Sequence, residues 1–362
     1  MDQQLKPARV FPPGRVLSEE LEARGWTQKV LADIIGRPTQ AINEIVRGTK
    51  QITPETALEL AAAFDTSPEF WTSLEANYRL YLARKKKDEQ AIVRKSRLYS
   101  IAPIPELIKR GWIQDTNSVD KLEQEVCNFL GISSLDQEPK LLVNFRYTAT
   151  QQPEANAQTA WIKRVEHLAK AQTVAEFELV KLDRAIPEIL TYARKARDIV
   201  RIPSLLMDLG VHFVIVPHLP KTYLDGAAFY LDGNPVVALT LRHDRIDAFW
   251  FTLMHELGHI VAGHQGFYLD NLDDGDINNE EREANQLARD WLIAPEAFAA
   301  FVQSTKPYFS EDKIELFAER QSRHAGIVLG RLQREHVGYQ HLRSLLLRVK
   351  PLLKDWTDIF GR

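Results

Sequence analysis

Residues 255–259 of this 362-residue chain read His-Glu-Leu-Gly-His. They lie in the apolar run Phe249-Trp-Phe-Thr-Leu-Met-His-Glu-Leu-Gly-His-Ile-Val, whose length and pattern predict a helix. On a helix, positions i and i+4 share a face. His255 and His259 can therefore each point an imidazole nitrogen at one Zn²⁺. Glu256, about 100° further round, is near enough to take a proton from an attacking water. Two imidazoles and a carboxylate base at this spacing point to zinc-assisted hydrolysis of a peptide bond.

Such a site needs a third ligand. Glu281-Arg-Glu-Ala-Asn285 follows 22 residues after His259 and opens a second expected helix, residues 279–292. Glu280, Glu281 and Glu283 compete for the role. Only Glu281 has a suitable polar residue four positions on, so Glu281 is the expected ligand. Asn285 is then expected to accept a hydrogen bond from the outer nitrogen of His255 and so fix its tautomer. His264 breaks the pattern that recruits a third histidine, which needs Gly at +3 and His at +6 from the second one. Here Gly263 is at +4 and His264 at +5, so His264 reads as a helix C-terminal residue favoured by the macrodipole.

The elements that must position these residues follow from periodicity and punctuation. Residues 211–216, Val-His-Phe-Val-Ile-Val, are β-branched and apolar and stop at Pro217. Residues 226–231 and 235–241, joined through Asp232-Gly233-Asn234, read as a hairpin. The strand over 236–241 reads either as a sheet edge, where an extended peptide could add by β-augmentation, or as a strand that serves packing alone. Residues 98–200 read as mostly helical. The tail is also helical, apart from a short strand expected near 326–329.

The front of the chain is a series of short helices between polar turns. Thr27 and the Thr53-Pro54 and Ser67-Pro68 pairs are helix-start signals, and Gly25, Gly36 and Gly48 are stops. Residues 28–35 and 39–46, joined by Gly36-Arg37-Pro38, read as a helix-turn-helix, with Ala41, Ile42 and Ile45 facing inward. Such a pair sets its second helix in the major groove. Thr39, Gln40 and Asn43 would face the base edges, and Gln28, Lys29, Arg47 and Lys50 the flanking phosphates. The stretch after Arg84 reads as a solvated linker or frayed helix.

Bulk composition agrees with two or more soluble domains. Hydrophobic residues make up 44% and charged residues 26% of the chain. No apolar run approaches the ~18 residues that span a bilayer. The start lacks a signal-peptide core, and the single cysteine, Cys127, fits a reducing cytoplasm. Residues 1–100 carry 16 Lys and Arg against 13 Asp and Glu, whereas the remainder carries 30 against 36. A basic front and an acidic back suit a nucleic-acid module joined to something else.

Two resemblances sharpen this reading. Trp26-Thr-Gln-Lys-Val-Leu-Ala-Asp-Ile-Ile-Gly, Ile42-Asn-Glu-Ile-Val-Arg-Gly, Ile52-Thr-Pro-Glu-Thr-Ala-Leu-Glu-Leu-Ala and Thr66-Ser-Pro-Glu-Phe-Trp resemble the HigA branch of the XRE-type helix-turn-helix family, over about residues 10–85. That resemblance implies a dimeric repressor of its own operon, often an antitoxin. Members are usually little longer than this one domain. Residues 242–260 and 281–295, with His324-Ala-Gly-Ile-Val-Leu-Gly-Arg-Leu-Gln, are similar to the ImmA/IrrE metallo-endopeptidases, over about residues 190–340. That implies a gluzincin with His255, His259 and Glu281 as zinc ligands and Glu256 as general base. It also implies cleavage of a particular regulatory protein. His324 is preferred over Tyr230 and Arg242 as the group that steadies the oxyanion.

The expected architecture is mainly α with a small β-sheet (α+β). A five-helix helix-turn-helix domain occupies 10–85, a linker and helical middle region 86–190, a gluzincin-like metallopeptidase domain 191–345, and a tail 346–362. The expected partners are operator DNA, read as a homodimer on paired half-sites, and a protein substrate, toxin or repressor. The alternative is a non-catalytic transcription factor or antitoxin whose peptidase-like domain senses a ligand or binds a toxin.

Overall fold

The computed structural model describes residues 10–86, 89–137, 139, 152–264, 268–270, 279–338 and 342–358. Parts of the expected middle region and tail, residues 87–88, 138, 140–151 and 359–362, lie outside them. The described residues form two compact units, one ending at Arg94 and the other beginning at Lys95.

The first unit contains α1 (Pro13–Ala23), α2 (Gln28–Ile35), α3 (Thr39–Val46), α4 (Pro54–Phe64) and α5 (Pro68–Lys86). The expected caps are made. Thr27 accepts a hydrogen bond from Val30 N at 3.2 Å, Thr53 from Thr56 N at 3.3 Å and Ser67 from Phe70 N at 3.2 Å. Each cap satisfies one of the amides a helix start leaves open, a contribution of about 1 kcal/mol. Leu17, Leu31, Ile42, Ile45, Leu60 and Trp71 close a single core. Arg37, in the turn between α2 and α3, pairs with Glu59 of α4 and ties the turn to the bundle. This pairing holds the Arg37 guanidinium above its ordinary pKa.

The boundary helix α6 (Glu89–Ile101) leads into the second unit. Its elements are α7 (Ile104–Lys109), α8 (Val119–Leu130), α9 (Gln152–Lys170), α10 (Leu179–Thr191), α11 (Ile202–Asp208), β1 (His212–Ile215), β2 (Gly226–Leu231), β3 (Asn234–Leu239), α12 (Ile246–Val261), β4 (Tyr268–Asp270), α13 (Asn279–Leu292), α14 (Pro295–Thr305), α15 (Glu311–Arg320) and α16 (Ala325–Glu335). The sheet order is β1-β3-β2-β4, with β1 parallel and β2 antiparallel to β3.

This sheet is buried on both faces, which explains its nearly unbroken apolar strands. Phe213, Ile215, Val237 and Leu239 face one core, shared with α12, α13 and α16. Val214, Val216, Val236, Ala238 and Phe229 face a second core, built with α7, α8 and α9. The Trp161 indole of α9 donates to Val216 O at 2.9 Å. The middle helices are thus a layer of the second unit.

Two strand expectations are corrected. The segment over 236–241 is not an edge, because β3 lies between β1 and β2. Parallel pairing with β1, from outside the hairpin, covers its free side. Residues 326–329 are helical, not extended. Gly326 packs under Ile246 of α12 and Leu345, so tertiary packing overrides a β-branched local sequence. Among the described residues, no helix is long and apolar enough to cross a membrane.

Candidate metal centre and nucleic-acid interface

α12 carries the His-Glu-Leu-Gly-His run through the middle of the second unit. Twelve of its sixteen residues are buried, so its apolar faces are held by packing and its polar residues are fixed by the helix. His255 and His259 both turn Nε2 the same way, 3.0 Å apart. Glu281 of α13 meets them, with Oε2 at 3.2 Å from His255 Nε2 and Oε1 at 3.5 Å from His259 Nε2. The two histidines are 0% and 1% exposed. Among the described residues these three side chains form a group able to hold a metal ion.

The donor set fits zinc. Donors about 2.0–2.1 Å from a tetrahedral ion stand roughly 3.3 Å apart, close to the three separations here. Two imidazoles and one carboxylate also leave a fourth position open, which is the pattern of hydrolytic rather than structural zinc sites. α13 reaches the site through a close approach at Gly258, where an added Cβ would stand 3.3 Å from Ala284 Cα. A larger residue there would push Glu281 away.

Glu256 is fully buried between α12 and β2. Its carboxylate lies where a Cβ on Gly226 would be, with the Thr252 methyl alongside. The glycine that opens β2 therefore makes the room for the carboxylate. Sequence reasoning missed Gly226; its signal was a glycine at the start of the hairpin that leads into the helix.

The groups behind the ligands differ from expectation. Asn285 sits one turn past Glu281 and is buried, but its Oδ1 accepts no hydrogen bond among the described residues. The expected bond from His255 is therefore not formed. The tight Gly258–Ala284 contact fixes α13 so that Asn285 lines a neighbouring cavity instead. It is His264 that contacts one of the clustered histidines. Its Nδ1 lies 3.0 Å from His259 Nδ1, and its Nε2 lies 3.4 Å from Glu283 Oε2. A metal on His259 Nε2 would put that ring's proton on Nδ1, where His264 Nδ1 stands within reach to accept it. The cue was a histidine just past the helix end, where Gly263 turns the chain back.

His324 also has a different place. It caps α16, its Nδ1 accepting from Gly326 N at 3.0 Å while its own amide donates to Ala193 O. Burial holds its imidazole below the ordinary histidine pKa. Gly326 packs on Ile246, nine residues and about 13 Å along α12 from His255. His324 is thus a capping residue and is not brought to the cluster. Tyr230 lies at the far end of β2 from Gly226. Arg242, by contrast, pairs at 3.1 Å with Asp225, the residue before Gly226.

In the first unit, α2 and α3 form the expected helix pair. Ala41, Ile42 and Ile45 are buried, whereas Thr39, Gln40, Lys29, Arg47 and Lys50 are exposed. Gln40 donates to Glu44 at 3.0 Å. Asn43 and Gln28 are half-buried and bonded together, Asn43 Nδ2 donating to Gln28 Oε1 at 3.2 Å. One expected base-edge residue is thereby coupled to one expected phosphate residue.

These features define a helix-turn-helix DNA-reading module joined to a domain with a buried His-His-Glu cluster and an adjacent glutamate. Comparison with known proteins gives the same two parts. The helix-turn-helix family model matches residues 17–71, and that of the IrrE N-terminal-like domain, peptidase family M78, matches residues 208–320. An uncharacterized HTH-type transcriptional regulator of Haemophilus influenzae is 36% identical over 89 residues, 24% of this chain and 80% of that protein. Antitoxin HigA-1 of Vibrio cholerae is 33% identical over 79 residues, 22% of this chain and 74% of that protein. A solved HigA-family addiction-module antidote protein from Coxiella burnetii is 39% identical, covering 22% of this chain and 86% of that one, with a TM-score of 0.21. The chain belongs to the helix-turn-helix family, with HigA antitoxin-like relatives, and carries an IrrE N-terminal-like domain behind that module.

Proposed function

We propose that this chain is a transcriptional regulator whose second unit is a zinc-dependent endopeptidase that cleaves one regulatory protein. The observation that carries this reading is the convergence of His255, His259 and Glu281 beside a buried Glu256. Zinc, held by the first three, would supply a Lewis acid that polarises the scissile carbonyl and acidifies a water. Glu256 takes the proton of the attacking water and passes it to the leaving amine. His264 holds His259 in the tautomer that leaves Nε2 free to bind.

In the first unit, Thr39, Gln40 and Asn43 read base edges and Gln28, Lys29, Arg47 and Lys50 hold phosphates of an operator. A homodimer engages paired half-sites. In this reading the reader occupies residues 10–85 and the peptidase domain 191–345, with the helices of 86–190 packed mainly as a layer of the second unit. The test is to incubate the zinc-loaded full chain with the product of each neighbouring reading frame. One of these proteins is cut at a single bond by the wild type and stays intact with Glu256→Gln. If every candidate remains equally intact with both, the endopeptidase reading fails and a binding role for the domain replaces it.

A further inference from the structure

A cavity of about 520 Å³ opens between α12, α13 and α16, a size suited to a side chain or small ligand. Its wall comes within a turn of two of the cluster residues and includes the residue before β2. Asp225 immediately precedes Gly226. Phe251 lies one turn before His255, its ring stacked on that imidazole with centroids 6.3 Å apart. Asn285 lies one turn past Glu281.

The chemistry of its wall is one-sided. Six arginines line it against three carboxylates. Each carboxylate already has an arginine: Asp225 has Arg242 at 3.1 Å, Asp247 has Arg245 at 2.5 Å and Glu335 has Arg331 at 3.0 Å. Arg282, Arg289 and Arg343 line the same space and make no ion pair among the described residues. Guanidinium forks that converge without carboxylates match the planar, bidentate geometry of a carboxylate ligand. The ring of Phe251 offers an apolar wall for the methylenes that would carry it.

We propose that this cavity is the subsite for an acidic side chain of the substrate, so that the enzyme selects a peptide bond flanked by Asp or Glu. The proposal rests on the peptidase reading, because it makes the cavity part of the same cleft.

Binding tests it without need of the natural substrate. Three small hydroxamates, alike except for a Glu, Gln or Lys side chain, are titrated calorimetrically into the zinc-loaded full chain. The Glu compound binds at least about tenfold more tightly than the Gln compound, the size of one charged hydrogen-bonding partner, and the Lys compound binds weakest. The preference shrinks in Arg289→Gln and in Arg343→Gln, and Arg289→Lys, which keeps the charge but not the fork, recovers only part of it. Equal binding of all three compounds overturns the acidic subsite and leaves the peptidase reading standing. No binding of any of them overturns both.

Discussion

Replacing His264 by Phe keeps an aromatic ring at the position and removes the nitrogen that holds His259. The His264 side chain is only 8% exposed, so a ring of similar shape should stay in place. What is lost is the 3.0 Å bond to His259 Nδ1, from a ligand that is itself 1% exposed. A buried donor deprived of its acceptor costs about 1–3 kcal/mol. Partners behind a metal ligand are worth about 10–100-fold in metal affinity, or roughly 1.4–2.7 kcal/mol. The two routes agree, so His264→Phe should weaken zinc binding by that factor. Asn285→Ala should change it less than about twofold, because Asn285 Oδ1 supports no ligand. Competition against a fluorescent zinc chelator measures both. Wild-type affinity in His264→Phe, or an equal loss in Asn285→Ala, would refute this account of how the ligands are held.

Gly226→Ala puts a methyl group where the Glu256 carboxylate lies. It should lower peptidase turnover by about 10²–10⁴-fold, the usual worth of a general base, and leave zinc stoichiometry unchanged; unaltered turnover counts against Glu256 as the base. His167, His212, His218 and His324 are each held below the ordinary histidine pKa, chiefly by burial. They are neutral in the fold and gain protons on unfolding, so their stabilisation is complete above the unfolded value of 6.5 and is lost as pH falls towards their lowered folded values. The urea midpoint should therefore drop between about pH 7 and pH 5.5, and a rise over that interval contradicts it. Gln40→Ala should cost about 1–3 kcal/mol of discrimination at one operator base pair, whereas Lys50→Ala should weaken all sequences alike and flatten the salt dependence. Anisotropy on operator variants separates the two, and indifference of every variant to Gln40→Ala removes it from the reading surface.

Much of this molecule is written locally. Thr27, Thr53 and Ser67 announce their helices because a capping oxygen three residues before an amide is a short-range device. The inward Ala41, Ile42 and Ile45 follow from helical spacing alone. His255 and His259 are legible for the same reason, since i and i+4 share one helix face, whereas Glu281 on α13 follows from its distance along the chain and its place at a helix start. What escaped depends on contacts between distant segments. The parallel partner of β3 is a strand from before the hairpin, and nothing in residues 234–239 says which strand will lie alongside. The helix over 325–335 has a β-branched start that only its contact with Ile246 and its His324 cap override. Asn285 had the right spacing to back His255, but the Gly258–Ala284 approach sets where α13 sits. His264 was dismissed as a ligand on sound grounds, and its position just past the turn at Gly263 gave it a supporting task instead.

The central claim is that His255, His259 and Glu281 hold zinc. X-ray absorption at the zinc edge on the full chain, loaded with one equivalent and dialysed, tests it most directly. The expected spectrum is that of one tightly held zinc with two imidazole nitrogens in its shell, and that signal is lost in a His255→Ala, His259→Ala double variant. Zinc that dialyses away, or a shell without imidazole, would contradict it.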